Sequence, residues 1–420
     1  MIQTYISKYF YIVFLFTLTF GVLLYNIILA VLGFAYTDEI CALLIFVLFA
    51  IFLFTKKDWE MNKAFLTTLA VFAFYVFYSL YIHSNSAGGI MSDLFIQIKP
   101  YLAFFCAYSM MPSLDRNQRS ILRSVSFIYW GVLLVIGLSS LFYPDMIKLT
   151  MSHDSYYASA VILTSLCYFY CSRFTSLDKL VFLIMLSIGI LSGRSKFYGF
   201  YAMAVFIVIF FSNAKMFRWN VRNVLVIVCM LVVITLVAWE KIYLYFYQAV
   251  AGDVEKDMVA RYVLYATSPE IFRDYFPFGS GLASYATYAS GLYYSDIYVK
   301  YGIDGVWGIS RSYYSFVADT YYPSLAQFGV AGVVMYILFW LYILRRALHF
   351  YIKTRNLHCL IIVSLIIGFL AIEGIANPTF IANDGVFSMM LLGLVLAGMK
   401  QELYAFNDKQ SFADESIADQ

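Results

Sequence analysis

Long apolar runs, separated by short charged or turn-rich breaks, recur along this chain from its first residues to about residue 400. Runs of roughly 17 to 25 residues cross about 30 Å of hydrocarbon as helix. In lipid every backbone N–H and C=O must find a partner within the chain, so such runs become helices. A membrane barrel would instead alternate apolar and polar residues over about ten per strand, and no such alternation is present. Composition agrees: 63% of the 420 residues are hydrophobic and 13% charged, with a mean hydropathy of +0.78. Soluble domains carry about 25% charged residues. The expectation is an all-α, polytopic membrane protein with about 12 transmembrane helices. They fall near 10–34, 41–55, 64–82, 94–111, 121–142, 157–172, 180–193, 197–212, 223–245, 323–343, 358–376 and 383–399.

Charge orients these spans. Cytoplasmic loops collect Lys and Arg, and with the N-terminus inside, the inner segments hold 18 of the 28 basic residues. The short outer breaks "AYTDEI", "IHSNSAGGIMSD" and "ANPTFIANDG" hold none. Both termini are then cytoplasmic. The chain divides into a bundle of about nine spans (1–247), one long extracytoplasmic loop (248–322), the last spans (323–400) and a polar tail (401–420) expected to be unstructured.

Several chemistries are unsupported. The sequence contains no GxxxxGK[ST], HExxH or GxSxG, and no Asp-x-Asp of the kind that holds a metal and a nucleotide-sugar. His83, His153, His349 and His358 are scattered, and the six cysteines lie in or beside apolar runs, where they read as small hydrophobes. No metal site, cofactor or nucleic-acid partner is expected.

One short outer turn breaks the charge pattern. In "LSGRSKFYGF", Arg194 and Lys196 stand between two apolar runs. An Arg near hydrocarbon costs up to about 2.5–3.5 kcal/mol at a helix centre, less near its end. Either these cations snorkel to lipid headgroups or they face an anion. The long loop is too long for an idle connection. It carries Lys256, Arg261, Arg273, Lys300 and Arg311 with thirteen tyrosines, Tyr321 and Tyr322 among them. Aromatic rings with polar tips suit sugar faces, and equally suit a membrane interface.

Three outer patches cohere: "LSGRSKFYGF", "ARYVLYATSPEIFRDYFPFGSGLASY" from Ala260, and "ADTYYPSLAQFGVAGVVMYILFW" from Ala318. In their order and spacing they resemble the bacterial O-antigen polymerase and O-antigen ligase superfamily. Arg194 matches its Ser-Gly-Arg turn. Arg261, Pro277, Gly279 and Gly281 match an Arg-led helix ending in a Pro- and Gly-rich turn, and Gln327, Gly329 and Gly332 match a Glu-x-Gly-x-x-Gly motif. The likeness is motif-specific over only about 60 residues. The ligase His-Asn pair would fall at Ala318 and Asp319, so the histidine is missing and the polymerase branch fits better.

The resemblance implies a GT-C-type glycosyltransferase of the bacterial cytoplasmic (inner) membrane, working on its periplasmic side. It would polymerise O-antigen or capsule-like polysaccharide, with undecaprenyl pyrophosphate-linked oligosaccharides as donor and acceptor. Membrane lipid and a chain-length regulator protein are the further partners implied. A pyrophosphate leaving group is the anion that Arg194 and Arg261 would hold, Arg offering a planar fork matched to phosphate. Asp319 would act as base, or else cap the following span or pair with Arg261. Lys99, within the fourth span, Lys196 and Arg311 are further candidate donor cations; Lys99 could equally snorkel or pair with a carboxylate. Glu373 is a second base or an arginine partner, and Tyr321 and Tyr322 would contact sugar. The rival readings are O-antigen ligase and a carrier or flippase for lipid-linked oligosaccharide.

Overall fold

The computed structural model describes residues 2–25, 36–55, 62–210 and 256–418. Among these residues the chain is all-helical and has no strand. Helix α1 (Ile2–Phe16) runs on into a π-helical turn, Thr17–Leu23. Thr17 and Thr19 donate their hydroxyls back to the carbonyls of Val13 and Leu15, each at 2.8 Å, which competes with the helical ladder and loosens that turn. Next come α2 (Thr37–Thr55), α3 (Lys63–Tyr81), α4 (Ala87–Met110) and α5 (Arg116–Ser139). Local chemistry starts several of them. Asn62 and Ser86 cap α3 and α4, and Asp115 with Gln118 forms a capping box on α5.

A short α6 (Met146–Met151) leads to α7 (Asp154–Tyr170), and α8 (Ser176–Ser187) tightens into a 3-10 turn, Ile188–Ser192, before α9 (Ser195–Phe210). Beyond the next described boundary lie α10 (Lys256–Asp274), the one-turn α11 (Tyr288–Leu292) and α12 (Asp296–Lys300). A 3-10 segment, Tyr322–Phe328, opens onto α13 (Gly329–Thr354), followed by α14 (Leu357–Glu373) and α15 (Asn383–Ala418).

Among the described residues, seven helices are long and apolar enough to cross a membrane: Gln3–Leu23, Thr37–Thr55, Lys63–Tyr81, Ala87–Met110, Arg116–Ser139, Tyr322–Thr354 and Asn383–Asp408. Each corresponds to an expected span. Four other expected spans are helices of lesser length: α7, α8 with its 3-10 turn, α9 and α14. At 1.5 Å per residue, a 17-residue helix such as α7 reaches only about 25 Å. The span expected at 223–245 lies outside the described residues. The described residues therefore hold seven candidate spans.

The bundle is built around α4, α7 and α15. Gly393 lets α15 press onto α4, since a methyl there would meet the Phe104 carbonyl at 2.6 Å and the Ala107 side chain at 2.8 Å. Helix α7 is buried from Ser155 to Tyr170 with Tyr156 partly open, as expected of a helix without a consistent polar face. The tail differs from expectation. No Gly or Pro follows Gly398, and α15 continues helical to Ala418 through residues of good helix propensity.

The segment expected to be a long loop is a small folded unit. Ala260, Leu264, Ile271, Tyr285, Tyr298 and Ile309 are among the buried residues of a core of its own. Its tyrosines are in good part structural: Tyr285 donates to the Leu264 carbonyl at 2.6 Å, and the Ala286 N–H donates to the Tyr298 hydroxyl at 2.9 Å. Tyr288 and Tyr293 are the ones left open beside α4.

The unit docks through the two glycine motifs. Gly279 and Gly329 both have left-handed backbone (φ +77° and +61°), and a methyl on either would strike the backbone of the other. Only glycine allows that approach. The Gly281 N–H donates to Gln327 O at 2.8 Å, and Ala331 N–H to Pro277 O at 3.0 Å. On the bundle side, Ala283 N–H donates to the fully buried Asp93 at 2.7 Å and Leu282 N–H to Ser79 at 2.8 Å. These contacts tie the start of α13 and the end of α10 to α3 and α4.

Candidate functional site

At the end of the bundle bearing this unit three cations meet, each paired with a carboxylate. Gly193 ends the 3-10 turn with a positive φ of +65°, reversing the chain so that Arg194 leaves it sideways. The Arg194 Nη2 donates to Asp154 at 3.2 Å and lies 2.8 Å from His153 Nε2. Its Nε is buried and has no partner among the described residues. Two residues on, Lys196 donates to Glu373 at 2.7 Å. Glu373 is 3% exposed and also receives Asn377 at 3.0 Å. From the docked unit, Arg261 on α10 donates through Nε to Asp319 at 2.6 Å.

These pairs form one electrostatic group. Lys196 lies within electrostatic reach of Glu373, Arg261 and Arg194. His153 feels Arg194, Lys196 and Arg261 as well as Asp154. Its pKa is lowered, first by burial and next by the Arg194 charge, so the neutral imidazole is favoured. Charges in such a setting are tolerated because each has a partner. A carboxylate on one edge of a guanidinium also fixes its rotamer, and the unused Nε–H of Arg194 remains to be offered to an anion.

The remaining predicted residues lie elsewhere. Lys99 is 5% exposed, and its ammonium is held by Asp38 and by Glu39, the latter at 2.8 Å, forming a separate cluster. Arg311 lies over the Tyr294 ring in the small unit, 5.2 Å from its centroid. Tyr321 is 2% exposed among Phe380, Tyr336 and Tyr322. There it packs in an aromatic cluster and also lines a smaller cavity between α3, α4 and α13. The Tyr322 hydroxyl donates to Ala371 O, and that of Tyr265 to Ile375 O, both at 2.7 Å. Together they hold the chain on either side of Glu373.

The convergence of Arg194, Lys196, Arg261, Asp319 and Glu373 was anticipated. That of His153 and Asp154 was not. They sit at the head of α7, where Ser155 N–H donates to the His153 ring at 3.2 Å. Their sequence signal is a His-Asp pair at the start of a span whose expected outer end matches that of Arg194.

Among the described residues no group of three or more His, Cys, Asp or Glu side chains could hold a metal ion. The five described cysteines, Cys41, Cys106, Cys167, Cys171 and Cys359, are free. In comparisons with protein-family models, curated proteins and solved structures, nothing matches this chain.

Proposed function

We propose that this protein is a GT-C-type polysaccharide polymerase of a bacterial cytoplasmic membrane. It would extend an O-antigen or capsule-like glycan on the periplasmic side, with both termini in the cytoplasm. The observation that carries the reading is the convergence of Arg194, Lys196 and Arg261 from two separate parts of the chain onto one group at the bundle end.

The donor would be a glycan on polyprenyl pyrophosphate. The acceptor hydroxyl oxygen bonds to the anomeric carbon while the bond from that carbon to the phosphate oxygen breaks. Its electron pair leaves with the pyrophosphate. Arg194 and Arg261 stabilise the charge growing on that oxygen, and a single displacement inverts the anomeric centre. Asp319, oriented by Arg261, takes the hydroxyl proton. Lys196, steadied by Glu373, adds positive potential. Ala318, where a ligase would carry histidine, favours polymerisation over ligation.

The test is reconstitution of the purified chain in proteoliposomes with a lipid pyrophosphate-linked oligosaccharide repeat unit. A ladder of longer glycans, lost in folded Arg194→Ala and Arg261→Ala, is expected. Transbilayer movement of the unit without a ladder would replace this reading with a carrier.

A further inference from the structure

A cavity of about 980 Å³ opens beside the cation group, between α2, α4 and the start of α15, with α11 as its roof. That volume is at the upper end of ligand pockets. It reaches the site already described: Ala318, next to Asp319, lines it, as does Tyr156, two residues from Asp154.

Its chemistry is the opposite of the neighbouring group. Lys99 is the one cation among the described lining residues, and Asp38 and Glu39 already hold its ammonium. The other charged lining residues, Asp38, Glu39 and Asp384, are all carboxylic, and the rest of the polar lining is neutral hydroxyl and amide. Asn383 is 6% exposed, yet among the described residues its Oδ1 has no partner, and Glu39 Oε2 is likewise buried without one. The Asp384 carboxyl, beside Ser159, is 8% exposed. A buried acceptor with no donor is costly, which points to a ligand that brings donors. At the roof, Tyr288 and Tyr293 are 54% and 42% exposed and offer ring faces.

We propose that this cavity binds the acceptor sugars through their hydroxyls, and that it selects neutral or amino-bearing sugars against uronic acids. A carboxylate entering here meets Asp38, Glu39 and Asp384 and, among the described lining residues, finds no uncommitted cation. An ammonium or hydroxyl meets waiting acceptors. Calling the bound glycan the acceptor rests on the polymerase reading; the selectivity does not.

The measurement is the thermal unfolding midpoint of the full-length protein in detergent, titrated with three trisaccharides: triacetylchitotriose (neutral), chitotriose (cationic) and trigalacturonate (anionic). The first two should raise the midpoint and the third should leave it unchanged. Asn383→Leu, losing one hydrogen-bond acceptor, should weaken neutral binding about tenfold. Tyr293→Ala, at the open rim where folding is not at stake, should weaken it several-fold. Trigalacturonate binding as well as the neutral probe, no shift with any probe, or unchanged binding in both variants would overturn the assignment. Arg261→Ala separates the two readings. If it and the wild type bind the neutral probe alike while the wild type builds no polymer, the cavity stands and the polymerase falls. If polymer forms at an undiminished rate in Asn383→Leu and Tyr293→Ala, the polymerase stands and the cavity assignment falls.

Discussion

The cation group around Arg194 and the cluster around Lys99 use the same residue types and reach different ends through stoichiometry and burial. In the first, the described residues pair Arg194 with Asp154 and Lys196 with Glu373, and the Arg194 side chain is 36% exposed. Lys99 has two carboxylates and is closed off. A half-open guanidinium with one donor unused among the described residues can still take an anion. A cation enclosed by two carboxylates is already neutralised and serves as structure, leaving an acceptor-rich wall.

The sharpest way to break this contrast is to remove Lys99. Lys99→Met strands two carboxylates in a low-dielectric setting, and breaking a buried pair in this way costs about 3–5 kcal/mol. The thermal midpoint in detergent should fall steeply, and Lys99→Met combined with Asp38→Asn and Glu39→Gln should recover most of it. Next come Arg194→Ala and Arg261→Ala. Each removes charge-assisted bonds worth about 1.5–3 kcal/mol apiece, so turnover should drop roughly a hundredfold. A rate ladder from reconstituted protein reads this, and a smaller loss in either than in Lys99→Met at matched stability would reverse the proposed division of roles.

A third test shifts one cluster against the other. Gly329→Ala places a methyl against the Gly279 backbone at a left-handed φ, a strain of about 1–3 kcal/mol. It should loosen the unit that carries Arg261 and lower activity, while hydrogen exchange around Lys99 stays as in the wild type.

The smallest effect is the pH dependence of His153. Burial and Arg194 lower its pKa in the folded state, so below about pH 6.5 the unfolded chain binds its proton first. Its contribution to stability is present above that pH and is lost as pH falls through the folded pKa. His153→Gln should flatten the acid limb of the unfolding curve, with little change above neutrality.

How legible these regions were differs in kind. The helices of the bundle follow from runs of apolar residues and from caps such as Asn62 and the Asp115–Gln118 box, which act over a few residues. Arg194 stood out because a charge on a short outer turn contradicts the composition around it. The partners of Lys99 did not stand out: Asp38 and Glu39 lie about sixty positions earlier on another helix. The sequence left the roles of the tyrosines of 248–322 open for a related reason. A Tyr that stacks on a ligand and a Tyr that closes a core, as Tyr285 does, have the same side chain, and only its neighbours tell them apart.

By itself, then, the sequence determined an all-helical chain with membrane-length apolar segments, their basic ends and the residue types at the candidate site, because hydrophobic length, helix capping and charge cost are local properties. Tertiary structure alone decided that Gly279 meets Gly329, that Asp154 and His153 join Arg194, and that Lys99 is enclosed while Arg194 is not. Those outcomes depend on which helices pack together, and a free energy of packing is shared among residues far apart in the chain.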